Sequence, residues 1–214
     1  AQAWAEARLD QVDPRRIGLI VGGSNVQQRE LVLARERHAA QPLLVAPSYG
    51  LGFMDSDLCG LCTGAFGIAG IAHTVGAASA SGQVAIIQAA EAVAAGTVDV
   101  CIALGALMDL SYWECAAFAN MGAMGSARYA DTPAQAARPF DRARDGFIYG
   151  EACGAVVIEK DGRAGIGAGY GTLEGWACNV DANRNPNPSI EGEVRAIASA
   201  LGRAGWSAAQ VDYV

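Results

Sequence analysis

Residues 71–107 read IAHTVGAASASGQVAIIQAAEAVAAGTVDVCIALGAL, and their pattern predicts a strand, a sharp turn, a buried helix and a second strand. An apolar run leads into residues 76–82, which carry only small side chains. From Gln83 onward, apolar residues recur at helical spacing, and Gly96 is expected to stop the helix at its C′ position. Residues 98–104 then read as a buried strand.

The turn between the first strand and the helix is the first candidate functional element. Small residues at such a turn allow a serine to be exposed at a helix N-terminus, where backbone N–H groups favour an anion. Ser79 is the candidate for that position. A second interpretation stays open at this point, because Ala/Ser/Gly clusters also permit close helix packing and Ser79 could serve only as an N-cap.

Composition indicates the fold class and excludes several functions. Apolar residues make up 52% of the 214, aromatic residues only 7%, and there are 27 glycines, which suits an α/β fold with close helix–sheet contacts. The net charge of −7 argues against a nucleic-acid or anionic-membrane surface. No uninterrupted apolar run reaches the length of a membrane span, and no signal peptide is recognisable.

The six cysteines form no regular framework, which favours a reduced, cytoplasmic compartment. Cys59 and Cys62 form a CxxC pair, but no second pair or nearby histidine completes a metal site, so ordinary helix packing is the favoured interpretation. We therefore expect no metal and no cofactor.

The rest of the chain alternates helical and extended patterns. The predicted elements are a strand at 17–23, a solvated helix or a long excursion at 24–41, and helices at 55–66 (capped by Asp55 or Ser56) and 109–124. A strand at 154–159, a helix at 189–205 and a strand beginning at 211–214 follow. The last pattern breaks off within a strand, so the chain is expected to be a fragment of a larger domain.

Two motifs together resemble the β-ketoacyl synthase family. Members of this family carry a nucleophilic cysteine in a turn of the form T-A-C-A/S-S/T-G, and AASASG at residues 77–82 is similar to it. Their R-P-F/W-D-x-x-R-D-G-F-x-x-G-E/D-x-x-G motif is matched by the residues between Arg138 and Gly154. The second match is long and specific, and the resemblance extends from residue 17 to residue 214.

This resemblance implies a thiolase-like fold, layered α-β-α-β-α, present here as an incomplete portion. Residues 1–160 would form the first thiolase-like half, and residues 161–214 would begin the second half. The resemblance also implies a homodimer in which the apolar stretch 66–75 lies at the two-fold interface.

Two departures from the family pattern bear on function. The nucleophile position holds Ser79 rather than cysteine, and a serine hydroxyl needs a general base to attack a thioester. The two family histidines would lie beyond Val214, and neither His38 nor His73 matches them.

Within the family, four short sequences resemble those of the Ser-for-Cys decarboxylases of polyketide β-branching cassettes: residues 73–82, 98–102, 106–111 and 120–125. The resemblance implies an enzyme that converts malonyl-ACP to acetyl-ACP, with Ser79 at the nucleophile position and Phe118 and Phe147 lining the malonyl pocket. Two alternatives remain: a starter-unit acyltransferase or ketosynthase that uses Ser79 covalently, and a non-catalytic ketosynthase partner subunit.

The implied partner is an acyl carrier protein, whose phosphopantetheine arm would carry the substrate. An acidic carrier should dock on local basic residues, and the available candidates are Arg128, Arg142 and Arg144. Arg144 has an alternative internal role, as a partner of Asp141 or Asp145.

Overall fold

The computed structural model describes residues 1–125, 127–163, 169–184 and 187–214. These residues form a four-stranded sheet with helices packed on both faces. The strands are β1 (Ile17–Gly22), β2 (Ala72–Val75), β3 (Val100–Gly105) and β4 (Gly154–Glu159). The helices are α1 (Gln2–Glu6), α2 (Gln28–His38), α3 (Tyr49–Gly52), α4 (Asp57–Phe66), α5 (Ser81–Ala94), α6 (Tyr112–Asn120) and α7 (Ile190–Ala204).

The sheet has the order β2–β1–β3–β4. β1 is parallel to β2 and to β3, whereas β4 is antiparallel to β3. The register places Gly22, Gly105 and Gly154 side by side, at the edge of the sheet where β1 and β3 end and β4 begins. We call these three residues the glycine row. Because they carry no side chains, they leave space above this edge of the sheet.

The alternation of side chains along β1 divides the core into two clusters, one on each face of the sheet. The cluster on the α4 side contains Leu9, Ile17, Leu19, Val21, Cys59, Ile68 and Val100. The cluster on the α5 side contains Ile20, Ala85, Ala89, Val93, Val98, Cys101 and Ala103. Small alanines on α5 allow that helix to approach the sheet closely, as the composition indicates.

The two ends of α5 can be compared with the strand, turn, helix and strand predicted over residues 71–107. Gly96 adopts a left-handed φ of 73°, and the N–H of Thr97 donates to the carbonyl of Ala92 at 3.0 Å. This is the Schellman arrangement, and it confirms the predicted role of Gly96. The helix begins at Ser81, two residues before the predicted start.

Helix α6 is shorter than the predicted helix at 109–124. The side chain of Ser111 accepts a hydrogen bond from the N–H of Trp113 at 3.2 Å, and Glu114 completes a capping box. This cap fixes the start at Tyr112. The sequence pattern predicts an apolar side of this helix that carries Trp113, Phe118 and Met121. Phe118 is half-buried and packs against Phe147, whereas Trp113 and Met121 are 63% and 68% exposed.

The C-terminal residues give one confirmation and one correction. Helix α7 lies where a helix is predicted, with Ser189 as its N-cap and Gly205 as its C-cap. Residues 211–214 do not form a strand, because no strand of the described chain pairs with them. The boundary predicted after residue 160 stays a prediction, and residues 164–168, just beyond it, lie outside the described residues.

None of the described helices combines the length and the apolarity needed to cross a lipid bilayer.

Candidate active site

The candidate active site lies where β2 leads into α5. After Val75 the chain forms a 3-10 turn at Ala78–Ala80, and α5 follows directly. Ala78 has a left-handed φ of 47°, which non-glycine residues rarely adopt. Such conformations often occur at functional sites.

Ser79 occupies the middle of this turn, and its side chain is exposed. Within the described part of the chain, its hydroxyl has no hydrogen-bond partner. The N-cap position of α5 is held by Ala80, without a side-chain cap. The structure therefore excludes the interpretation that Ser79 caps this helix and leaves its hydroxyl available at the helix N-terminus.

A second serine in the turn has a different environment, and sequence reasoning missed it. Ser81 is only 4% exposed. Its Oγ accepts a hydrogen bond from the N–H of Ala77 at 2.9 Å and donates one to the carbonyl of Ala78 at 2.7 Å. The only signal in the sequence was a hydroxyl residue just before the glycine of the turn.

The glycine row receives the first turn of α5. A Cβ atom built on Gly22 would lie 2.2 Å from the carbonyl oxygen of Ser81, and one built on Gly82 would lie 3.9 Å from the Cα of Gly105. The helix N-terminus is thus seated directly on the sheet edge.

The structure brings together the two predicted pocket residues. The rings of Phe118 and Phe147 meet edge to face, with their centroids 5.3 Å apart. An isolated β-bridge between Met124 and Phe147 holds this pair in place. In this bridge the N–H of Gly125 donates to the carbonyl of Phe147 at 3.0 Å.

Phe147 lines an apolar cavity of about 320 Å³. The cavity begins at Leu107, two residues beyond Gly105 in the glycine row. Its remaining lining residues are Met108, Leu110, Ile148, Tyr149, Gly150 and Ala152. An apolar cavity at this edge can take up an acyl group and lower the local dielectric constant.

An ion pair supports the rim of this cavity. Asp109, between the lining residues Met108 and Leu110, is buried, and its Oδ1 lies 3.1 Å from Nε of Arg29 on α2. The geometry is that of an ion pair rather than a hydrogen bond, because Oδ1 has no hydrogen-bond partner among the described residues. Removing Arg29 would leave a buried charge, so the pair fixes this loop to α2.

The three candidate docking arginines differ in how they are used. Nη1 of Arg128 donates to the carbonyl of Ala143, and Nη1 of Arg144 donates to that of Asp141, each at 3.2 Å. Arg144 therefore binds the Asp141 backbone rather than either predicted carboxylate. Arg142 is exposed and has no partner among the described residues.

The two histidines of the chain take no part in the turn, as the sequence analysis predicts. His38 ends α2. His73 lies on β2, where its Nε2 is 2.9 Å from Oε1 of Gln88 on α5. This contact links the strand and the helix on either side of the turn.

The CxxC pair contributes to packing. Sγ of Cys59 lies 3.4 Å from Oγ1 of Thr74, and burial raises the pKa of the Cys62 thiol. Burial also raises the pKa of Cys101, on β3, to about 12. Thiols of this kind are poor nucleophiles and poor metal ligands at neutral pH. No group of three potential metal ligands occurs in the ranges that the structure describes.

Comparison with known proteins identifies the family. The family model for the beta-ketoacyl synthase N-terminal domain matches residues 1–164. The chain is 56% identical over its whole length to the polyketide biosynthesis malonyl-ACP decarboxylase PksF of Bacillus subtilis, and covers 52% of that protein. It is 37% identical, over 66% of its length, to 3-oxoacyl-[acyl-carrier-protein] synthase 2 of Rhizobium meliloti, and covers 34% of that protein. For the most part, the chain spans about half the length, or less, of the curated relatives it matches.

Solved structures show the same fold. A beta-ketoacyl synthase from Burkholderia phymatum superposes with a TM-score of 0.84 at 26% identity, over 99% of this chain and 52% of that one. A ketosynthase in complex with a type II polyketide acyl-carrier protein gives a TM-score of 0.81 at 24% identity, over 95% of this chain and 52% of that one. The predicted thiolase-like α/β fold is confirmed. The chain belongs to the beta-ketoacyl synthase family.

Proposed function

We propose that the full-length protein decarboxylates malonyl-ACP to acetyl-ACP for polyketide β-branching. The observation that carries this proposal is Ser79, exposed at the start of α5 in a turn where the family motif has cysteine. The 56% identity to a malonyl-ACP decarboxylase supports it.

The chemistry of decarboxylation suits a serine at this position. The bond between the malonyl carboxylate and the α-carbon breaks, CO₂ leaves, and the electron pair forms an enolate on the thioester carbonyl. Protonation of the α-carbon then gives acetyl-ACP. No acyl-enzyme is required, so a weak nucleophile suffices. Hydrogen-bond donors at a helix N-terminus stabilise the enolate, each by about 3–4 kcal/mol on the scale of oxyanion-hole deletions.

The apolar cavity contributes to the same step. Phe147 lines the cavity and packs against Phe118, and it provides an apolar wall on which a carboxylate is poorly solvated. Loss of CO₂ removes that charge from the wall, so this environment favours the reaction. The substrate would arrive on the phosphopantetheine arm of the carrier protein, and no further cofactor is proposed.

The test of this function is the Ser79→Ala variant of the full-length enzyme. We expect it to retain part of the malonyl-ACP decarboxylase activity, because backbone N–H donors remain. The expected loss is about 1–3 kcal/mol of transition-state stabilisation, roughly 5- to 150-fold in kcat/KM. The measurement is the formation of acetyl-ACP without a second acyl substrate, monitored by mass spectrometry of the carrier protein. Ser56→Ala is the matched control, because Ser56 caps no backbone group of α4 with its side chain.

Intact-protein mass spectrometry separates this function from the acyltransferase alternative. We expect no persistent acyl adduct on the wild-type enzyme. A stable adduct on Ser79, together with a fully inactive Ser79→Ala variant, would establish covalent catalysis instead. Activity found only in the presence of an active ketosynthase would favour the partner-subunit alternative.

Carrier-protein docking is proposed at Arg142, the candidate arginine that is exposed and unpaired within the described ranges. Reversing its charge with Arg142→Glu is expected to raise KM for malonyl-ACP about 5- to 10-fold at low salt, with a smaller effect at high salt. Arg37→Glu, an exposed arginine on α2, controls for net charge. Equal KM values for the two variants would remove Arg142 as a docking residue.

We also propose a homodimer that forms through the edge strand β2 and the stretch 66–75. β2 has β1 as its single strand neighbour in the described sheet, so its other edge can pair with a second copy. Sedimentation of the full-length protein at micromolar concentration should show a dimer. A monomer under these conditions would contradict the proposal.

The proposed compartment is the cytoplasm. It is supported by the six cysteines, all of which are free thiols.

A further inference from the structure

Ser81 is the most constrained polar side chain of the turn, although its position leaves it unavailable to substrate. It is 4% exposed. Its hydroxyl is fully used, because it accepts from the N–H of Ala77 and donates to the carbonyl of Ala78. The hydroxyl therefore closes the turn from the inner side, opposite the exposed Ser79.

These hydrogen bonds act on the strained residue of the turn. The carbonyl of Ala78 accepts from the hydroxyl of Ser81 and also from its backbone N–H. Ala78 itself has a left-handed φ of 47°. Two hydrogen bonds to one carbonyl oppose rotation of this residue to a relaxed conformation, and rotation there would move Ser79.

The backbone of Ser81 is held from the opposite side by the sheet. Its carbonyl group lies so close to Gly22 that a Cβ atom on Gly22 would be 2.2 Å from the oxygen. Ser81 therefore contacts both the turn and the glycine row, and this packing against the sheet restricts the position of Ser79.

We propose that Ser81 is a positioning residue for the decarboxylation reaction. Its hydroxyl holds the turn so that Ser79 and the N–H groups at the start of α5 meet the thioester carbonyl in one geometry. This inference rests on the function proposed above. Ser81 does not contact the substrate and acts only through the turn.

The kinetic test compares Ser81→Ala with Ser81→Thr in the full-length enzyme. Ser81→Ala removes both hydrogen bonds of the hydroxyl, and we expect kcat to fall about tenfold or more, while KM changes less than twofold. Ser81→Thr retains the hydroxyl and should recover most of kcat. The matched control is Ser189→Ala, which removes a serine hydroxyl that accepts from the N–H of Gly192 at the start of α7. Its melting temperature should fall, but kcat should stay within twofold of wild type.

A second readout does not depend on the decarboxylase activity. In a Ser79→Cys background, the thiol at this position reports the field of the helix N-terminus, which lowers a thiol pKa. The thiol at position 79 is alkylated with iodoacetamide at a series of pH values, and mass spectrometry of the peptide that contains it gives the pH midpoint of alkylation. Adding Ser81→Ala should shift the midpoint to higher pH and slow alkylation at pH 7 about threefold or more. Adding Ser189→Ala should change neither.

The outcomes separate the two proposals. An unchanged alkylation midpoint in the Ser81→Ala background overturns the positioning role, and so does a loss of kcat that threonine does not restore. A wild-type enzyme that fails to decarboxylate malonyl-ACP overturns the proposed function, and the alkylation midpoint then decides the role of Ser81 by itself.

Discussion

Replacing Gly125 with alanine is expected to separate two backbone segments and to remove most of the proposed activity. A Cβ atom at this position would lie 0.9 Å from the carbonyl oxygen of Asp145. The Cβ atom is fixed to the backbone of residue 125 and the oxygen is a backbone atom of Asp145, so residues 145–147 must move. We expect a loss of about 3 kcal/mol in the free energy of unfolding, at the upper end for overpacked sites. Because Phe147 would leave Phe118, kcat/KM should fall about 100-fold.

Denaturant unfolding and decarboxylation kinetics of the full-length protein measure this effect. Gly202→Ala on α7 is the control, because a Cβ atom there meets no atom within 4 Å. Alanine in an open helical position should stabilise the protein by about 0.5–1 kcal/mol. If Gly125→Ala resembles Gly202→Ala in both stability and kinetics, the close contact with Asp145 does not constrain the Phe118–Phe147 pair.

Replacing Gly22 with alanine is expected to displace the N-terminus of α5 from the sheet. The new Cβ atom would lie 2.2 Å from the carbonyl oxygen of Ser81 and 2.9 Å from the amide nitrogen of Gly82. Neither β1 nor α5 can move freely, since both are part of the buried core. We expect a loss of about 3 kcal/mol or more in stability, and a kcat lower than that of Ser81→Ala.

The melting temperature and kcat of Gly22→Ala are compared with those of Gly60→Ala on α4. A Cβ atom on Gly60 has no neighbour within 4 Å, so its variant should be at least as stable as wild type. A Gly22→Ala protein with normal stability and normal kcat would show that the contact between α5 and the glycine row is not required.

The parts of the fold that local patterns encode could be predicted from the sequence. The strand at Gly154–Glu159 was predicted with its observed bounds, and the stop of α5 at Gly96 follows from the left-handed conformation that glycine permits. The start of α5 could not be placed, because Ala80 caps it without a side-chain hydrogen bond. Nothing in the side chains marks such a helix start.

The parts that depend on contacts distant in sequence could not be predicted. The register that aligns Gly22 with Gly105 and Gly154 is a property of the assembled sheet. Of the predicted apolar side of α6, Phe118 is half-buried but Trp113 and Met121 are exposed, because periodicity does not reveal which face a neighbouring element covers. Phe118 and Phe147 were named from a resemblance, whereas Ser79 was named first from the small residues of its turn. Ser81 was missed because its burial and its two partners are visible only in the folded turn.

The side chain at position 79 makes no hydrogen bond that stabilises this turn within the described residues. The shape of the turn is set by Ser81, by the backbone of Ala78 and by the seat on Gly22, while the hydroxyl of Ser79 has no partner in the described residues. Exchanging this side chain for another small one therefore leaves the free energy of folding nearly unchanged. In this turn, the residue proposed to act in the reaction is therefore not one of the residues that maintain the fold. We therefore expect Ser79→Ala and Ser79→Cys to change the chemistry available at this turn without a compensating mutation elsewhere.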